Sequence, residues 1–206
     1  MTLIIRKLRI LYRPTGESGD FEKANFPIGV EGGKTSTCPT QNLMEAYDMK
    51  DGTPFVWNNQ SDPYDNRDPR MKYTIVCNEM KWPVDPVEIW EGGTNGLPLQ
   101  NATTTGYYLK KYVNNTISFE AGSTVTKKQH NWVLFRYGEI LLNYAEAMIN
   151  AFHDPNYKDA VYNMSAREAV NQIRGRTNIS LPGFPSDITE KDFVKRLKNE
   201  RRVELA

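Results

Sequence analysis

Three consecutive segments with helical periodicity fill the last third of the chain, and they constrain the fold more than any other feature. In RYGEILLNYAEAMINAF, apolar residues recur from Tyr137 to Met148 at i, i+3, i+4, i+7, i+8 and i+11, which is the spacing of one buried helix face. In SAREAVNQIRGRTN, Ser165 and Glu168 fit a capping box. TEKDFVKRLKNERRVELA has a similar start at Thr189 and continues to the last residue without a stop signal. The sequence therefore predicts three helices, the first two with the size of one helical-repeat unit.

The part before these segments is predicted to be loop-rich with small regular elements. Gly, Pro, Ser and Thr crowd residues 14–40, which favours ordered loop, and PTQNLMEAYDMK at 39–50 predicts a short helix ending at the Asp-Gly turn. MKYTIVC at 71–77 and YYLKKYV at 107–113 are rich in β-formers and predict strands. The first 13 residues predict an edge strand or a short amphipathic piece, because charges interrupt their apolar residues.

Composition and charge exclude several classes of protein. The net charge of +1 provides no sustained basic field, which argues against a nucleic-acid partner. No apolar run approaches the roughly 18 residues that a membrane-spanning helix needs. The two cysteines, Cys38 and Cys77, lack metal-site spacing; they allow one disulfide, although free thiols are favoured.

Catalytic motifs are weak throughout the sequence. His130 and His153 lack the spacing of a zinc site, so we predict no metal, no cofactor and no catalytic residue. Glu88 and Glu91 flank Trp90, and a glycosidase uses such a carboxylate pair, so a hydrolase stays open as an alternative. The charged run from Glu200 to Glu204 instead predicts architecture, namely an interhelical ion pair with Arg136 or Glu139.

Aromatic residues in the polar loops offer the most specific functional hypothesis. The chain has 4 Trp and 11 Tyr, and several lie beside Asn, Asp, Gln or Arg, as Trp57 does before Asn58, Asn59 and Gln60. Sugars present flat C–H faces that stack on such rings, while polar side chains meet their hydroxyls. Each ring could instead pack in the core, where large aromatics are commonly buried. The six candidates for glycan stacking are Trp57, Tyr64, Trp82, Trp90, Tyr107 and Tyr108.

Six stretches, in order, resemble the SusD/RagB family of Bacteroidetes outer-membrane glycan-binding lipoproteins. They are PTQNLMEAYDMKDG, DPRMKYTI, GYYLKKYV, RYGEILLNYAEAMIN, AREAVNQIRGRTN and KNERRVELA, which together span about residues 26–206. The resemblance implies a mainly α, SusD-like fold with tetratricopeptide-type helix pairs, small β-strands or hairpins and long surface loops. Relative to the family, residues 1–206 would form one C-terminal region, truncated at both ends, with a loop-rich part at 1–135 and a three-helix part at 136–206.

The same resemblance implies a function that involves no catalysis. The protein would bind a glycan at the surface of the outer membrane and deliver it to a SusC-like TonB-dependent transporter. It would reach the membrane only through a lipid anchor outside this sequence. The resemblance does not carry over the six aromatic candidates, because glycan-contacting loops vary within the family. A protein-binding helical scaffold without a sugar ligand is the third hypothesis, beside the hydrolase.

Overall fold

A two-stranded ribbon joins the start of the chain to the three-helix part. The computed structural model describes residues 10–57 and 62–206. Strand β1 (Ile10–Ser18) pairs antiparallel with β4 (Lys128–Arg136), and two register shifts interrupt the pairing. The edge strand predicted within the first 13 residues is therefore present from Ile10 onward, whereas residues 1–9 lie outside the described part. Arg136 ends β4 and is also the N-cap of the helix that follows.

Short elements occupy the loop-rich part. They are helices α1 (Asp20–Asn25), α2 (Gln41–Ala46) and α3 (Pro69–Thr74), and strands β2 (Ile75–Val76) and β3 (Tyr108–Leu109), which pair antiparallel with each other. The helix predicted at 39–50 is present as α2 but ends at Ala46, before the Asp-Gly turn; the Thr40 side chain accepts a hydrogen bond from the Leu43 amide at its start. The loop predicted at 14–40 is wrong in part, because it contains most of β1 and all of α1.

Both predicted strands in this part are shorter than expected. The strand predicted at 71–77 is reduced to two residues because α3 includes its first four. Pro69 suits the first turn of a helix, and the Asp68 side chain caps that turn by accepting from the Arg70 amide, so local capping outweighs the β propensity of the stretch. The strand predicted at 107–113 ends at Leu109, after which the Val113 amide donates to the Lys110 carbonyl in a turn.

The three predicted helices are confirmed as α4 (Tyr137–Phe152), α5 (Ala166–Arg174) and α6 (Glu190–Leu205). Ser165 and Glu168 form both hydrogen bonds of the predicted capping box, and the Thr189 side chain accepts from the Asp192 amide at the start of α6. These helices bury one continuous apolar cluster. Its fully buried members include Leu142, Ala145, Ala169, Val170 and Phe193.

Two further clusters form the core of the loop-rich part. The first contains Met44, Tyr47, Met71 and Ile75, and Val203 of α6 packs into it. The second surrounds Trp82 and Tyr108 and contains Phe26, Val76, Val87 and Val113. Helix α6 thus contributes to two of the three clusters and connects the two parts of the chain.

Buried charges reinforce this connection. Glu204 contacts Arg136 at 2.5 Å, which confirms the predicted ion pair between the ends of β4 and α6. Arg70 of α3 contacts both Glu200 and Glu204, at 2.5 and 2.9 Å, and Arg174 of α5 contacts Glu200 at 2.6 Å. Apart from Arg136, whose side chain is 25% exposed, these side chains are almost fully buried, so each of their charges depends on its partners for compensation.

The cysteines form no disulfide. Cys77 is buried, and burial raises the pKa of its thiol to about 12, so it remains protonated and inert. Cys38 is partly exposed. Within residues 10–57 and 62–206, no helix is long and apolar enough to cross a membrane.

Candidate functional site

Three of the six aromatic candidates lie in the core. Tyr108 is fully buried, and Tyr107 and Trp82 are 3% and 6% exposed. The Tyr107 hydroxyl donates to the Gln41 side chain, and that of Tyr108 donates to the Asn95 carbonyl, so both polar ends are satisfied internally. These rings present no free face for stacking in this structure. These three rings instead help to fill the core, where large aromatic side chains are commonly buried.

The other three candidates differ in exposure. Tyr64 is half-buried, with its ring edge-on to Tyr107 at 6.3 Å. Trp57 and Trp90 are 52% and 48% exposed, so each presents part of its indole to solvent. The structure does not gather the six rings into one site.

The region of Trp90 is a tight turn that also contains the predicted carboxylate pair. The Glu88 carboxylate accepts a hydrogen bond from the Thr94 amide at 3.2 Å, within a loop where the Gly93 amide donates to the Trp90 carbonyl. Glu91 is exposed on the same turn. One member of the pair therefore takes part in holding the loop together.

A groove of about 620 Å³ lies between α6 and the segment that follows α2. Trp57 does not line this groove itself, but it contacts two residues that do, Glu45 and Phe55. One wall is formed by Glu45 at the end of α2 and by Phe55. The opposite wall is the exposed side of α6, from Lys191 to Arg202. A concave site of this size, with aromatic and polar groups together, has the properties of a ligand pocket.

Local contacts hold Trp57 against the wall formed by Glu45 and Phe55. The Trp57 indole N–H donates to the Glu45 carboxylate at 2.6 Å, and its ring is edge-on to Phe55 at 5.1 Å. The Arg67 guanidinium in turn lies 3.7 Å from the centre of the Phe55 ring, which is within the range of a cation–π contact. Asn58, Asn59 and Gln60, predicted as polar neighbours of Trp57, lie outside the described residues.

The backbone of this wall is attached directly to α6. A turn at Asp51 and Gly52 places Gly52 at a positive φ of 83°, which glycine adopts without strain. The Arg196 guanidinium donates to the Gly52 carbonyl at 2.8 Å, and the Asn199 amide donates to the Ala46 carbonyl at 2.7 Å. Two polar side chains of α6 therefore attach the segment after α2 to this helix.

Ionisation in the groove follows from these contacts. The Trp57 N–H, and then the Gln41 amide, lower the pKa of Glu45 below its usual value of 4.5, so the carboxylate is ionised at neutral pH. Burial raises the pKa of Asp48 above 3.8, although Arg174 and Arg196 oppose this effect. Within the described part of the chain, no cluster of His, Cys, Asp or Glu is arranged to hold a metal ion.

Glu45, Phe55 and the cationic side of α6 belong to the groove but are absent from the predicted set. Phe55 and Glu45 give no local sequence motif, because Glu45 contacts Trp57 only after the turn at Asp51 and Gly52 has brought the two segments together. The side of α6 does leave a pattern in the sequence, since Lys191, Lys195, Lys198 and Arg202 recur at i, i+4, i+7 and i+11. Charged residues at this spacing usually indicate only the solvent-exposed face of a helix.

Comparison with known proteins decides the family. The family model described as the SusD family matches residues 13–206, nearly the whole chain. The chain belongs to the SusD family. No curated protein matches this SusD-family chain.

Solved structures agree on the fold. A SusD-like protein from Bacteroides fragilis superposes with a TM-score of 0.73 at 24% identity, over 96% of this chain and 41% of its own. A SusD-like carbohydrate binding protein from the same species gives a TM-score of 0.77 at 24% identity, over 95% of this chain and 38% of its own. The mainly helical SusD-like fold is therefore confirmed, and this chain spans about two fifths of those structures.

Proposed function

We propose that this SusD-family chain binds a glycan without catalysis, at the surface of the outer membrane, for delivery to a SusC-like TonB-dependent transporter. Family membership supports this proposal, and so does the similar protein from Bacteroides fragilis that is described as carbohydrate binding. The proposed site is the groove beside Trp57. Tyr64 and Trp90 remain candidates for accessory contacts.

One observation carries the proposal: a half-exposed indole is held in place against two residues that line an open groove. The Glu45 carboxylate takes up the indole N–H, and Phe55 supports the ring from the side. A ring held in this way loses little conformational entropy when a sugar stacks on it, which favours binding. The polar groups of the opposite wall are available for sugar hydroxyls.

Calorimetric titration with a panel of plant and host oligosaccharides tests this proposal. Trp57→Ala should weaken binding of the best ligand by at least about tenfold, because a central aromatic contact contributes about 2 kcal/mol or more. Tyr73→Ala is the matched control: Tyr73 lies on α3, is 59% exposed and makes none of the contacts that join Trp57 to Glu45 and Phe55, so affinity should not change. Loss of binding in Trp90→Ala but not in Trp57→Ala would move the site to the Trp90 turn.

The two alternative functions give different results in the same assay. A hydrolase would shorten the oligosaccharide, and Glu88→Gln would abolish that turnover. A protein-binding scaffold would bind none of the oligosaccharides in the panel. Binding of intact ligand with no product over the time of the titration is the outcome expected for a capture protein.

A further inference from the structure

The groove wall formed by α6 is a stripe of exposed cations. Lys191, Lys195, Lys198 and Arg202 all line the groove and are all exposed. Their spacing places them on one helix face, along about 16 Å of the axis. Among the described residues, none of the four forms an ion pair within 4.0 Å, whereas the buried Arg70 and Arg174 are both paired.

The acidic residues of the groove do not neutralise this stripe. Glu200 is buried and bound by Arg70 and Arg174. Asp48 lies within 3.4 Å of Arg174 and 3.6 Å of Arg196. Glu45 keeps its negative charge on the opposite wall, where its carboxylate accepts hydrogen bonds from the neutral Trp57 indole and Gln41 amide. The charge that remains available to a ligand is therefore positive along α6.

We infer that the groove selects anionic oligosaccharides, whose carboxylate or sulfate groups contact the α6 stripe while a sugar face stacks on Trp57. This inference rests on the proposed glycan-binding function and specifies its ligand class. With a net charge of +1, the molecule has no overall field to attract anions, so the selectivity originates locally in the groove. The length of the stripe matches a chain of several sugars and exceeds a single one.

Paired probes of equal sugar composition isolate the charge. Short oligogalacturonates are compared with their methyl esters, and dextran sulfate with dextran, so that carboxylate and sulfate are tested separately. At least one anionic probe should bind at least about tenfold more tightly than its neutral partner, and its affinity should fall as salt rises from about 0.05 to 0.5 M. Trp57→Ala should weaken the same probe, which separates binding in the groove from adsorption elsewhere.

A double substitution then assigns the charge to α6. Lys195→Gln/Lys198→Gln should weaken the anionic probe by about tenfold, because it removes two of the four exposed charges of the stripe, and should leave a neutral ligand unaffected. Lys127→Gln/Lys128→Gln is the matched control, since both lysines are exposed, lie outside the groove and carry the same total charge.

The outcomes separate this inference from the proposed function. Equal binding of both members of each pair, with sensitivity to Trp57→Ala, would overturn the anionic selectivity and leave glycan capture in place. Anionic binding that responds equally to both double substitutions would also overturn it. Failure of every charged and neutral glycan to bind would overturn the two together.

Discussion

At the scale of single residues, the charged side chains divide into two groups that composition does not distinguish. Glu204 has a side chain only 1% exposed and is shared by Arg70, Arg136 and Arg176. Glu146 has a side chain 56% exposed and approaches Arg201 only at 3.9 Å. Burial removes the competing water from the first group, so its members depend on one another, whereas solvent screens the second.

Glu204→Gln should lower the free energy of unfolding by about 3–5 kcal/mol near neutral pH, because it leaves three arginines short of a counter-charge. Burial raises the pKa of Glu204, but the surrounding arginines outweigh burial, and the net pKa lies below 4.5. Its contribution to stability is therefore present above the unfolded pKa and is lost as pH falls through the lower folded pKa.

Urea unfolding of both proteins between about pH 7 and pH 3 measures this effect. The gap in unfolding free energy should narrow as the pH falls below about 4.5. Glu146→Gln provides the control and should change stability by less than about 1 kcal/mol. A gap that stays constant down to the lowest pH would show that folding does not shift the pKa of Glu204.

At the scale of elements, capping determines where the helices begin and where a predicted strand fails. Ser165 is 1% exposed, and both hydrogen bonds of the α5 capping box are formed: its side chain accepts from the Glu168 amide, and the Glu168 side chain accepts from the Ser165 amide. Asp68 and Pro69 start α3 within a stretch whose later residues favour β structure. A cap acts only on the first turn of a helix. It can therefore make residues 71–74 helical despite their β propensity, while residues 75 and 76 remain a strand.

Ser165→Ala should lower the free energy of unfolding by about 1–2 kcal/mol, since it removes the acceptor for the Glu168 amide at a buried position. Ser165→Thr, which keeps the hydroxyl, should recover part of the loss. Chemical denaturation monitored by circular dichroism measures both variants. Equal destabilisation by Ala and Thr would mean that the side chain matters through packing and that the cap contributes nothing.

At the scale of the whole molecule, α6 couples two parts that the sequence separates. All four tryptophans, namely Trp57, Trp82, Trp90 and Trp132, precede residue 136, so tryptophan fluorescence reports on the loop-rich part. The longest helices follow residue 136 and dominate the helical circular dichroism. Val203, which packs with Met44 and Tyr47, and the ion pairs of Glu200 and Glu204 connect the two parts physically.

Phe193→Ala should shift both signals to the same lower midpoint, with a loss of about 3–5 kcal/mol, because the fully buried ring leaves a cavity in the three-helix cluster. Parallel denaturation curves by fluorescence and by circular dichroism measure the coupling. An unchanged fluorescence midpoint would mean that the loop-rich part folds independently, and that residues 1–206 are two units.

The sequence by itself determined the helices α4, α5 and α6, the caps at Ser165 and Thr189, the helix at Thr40 and the family. Periodicity and capping act over three or four residues, so they can be read directly from neighbours in the chain. It also predicted the contact of Arg136 with the charged run of α6, because the resulting helices bring opposite charges together.

Only the tertiary structure decided which aromatic rings are exposed and where the groove lies. Trp57 and Trp82 have similar polar, loop-like surroundings in the sequence, yet one is half-exposed and the other is in the core. The difference depends on contacts between residues far apart in the chain, such as Arg196 with Gly52, which hold the α2 segment against α6. Burial is a property of the assembled surface, and no local pattern of residues encodes it.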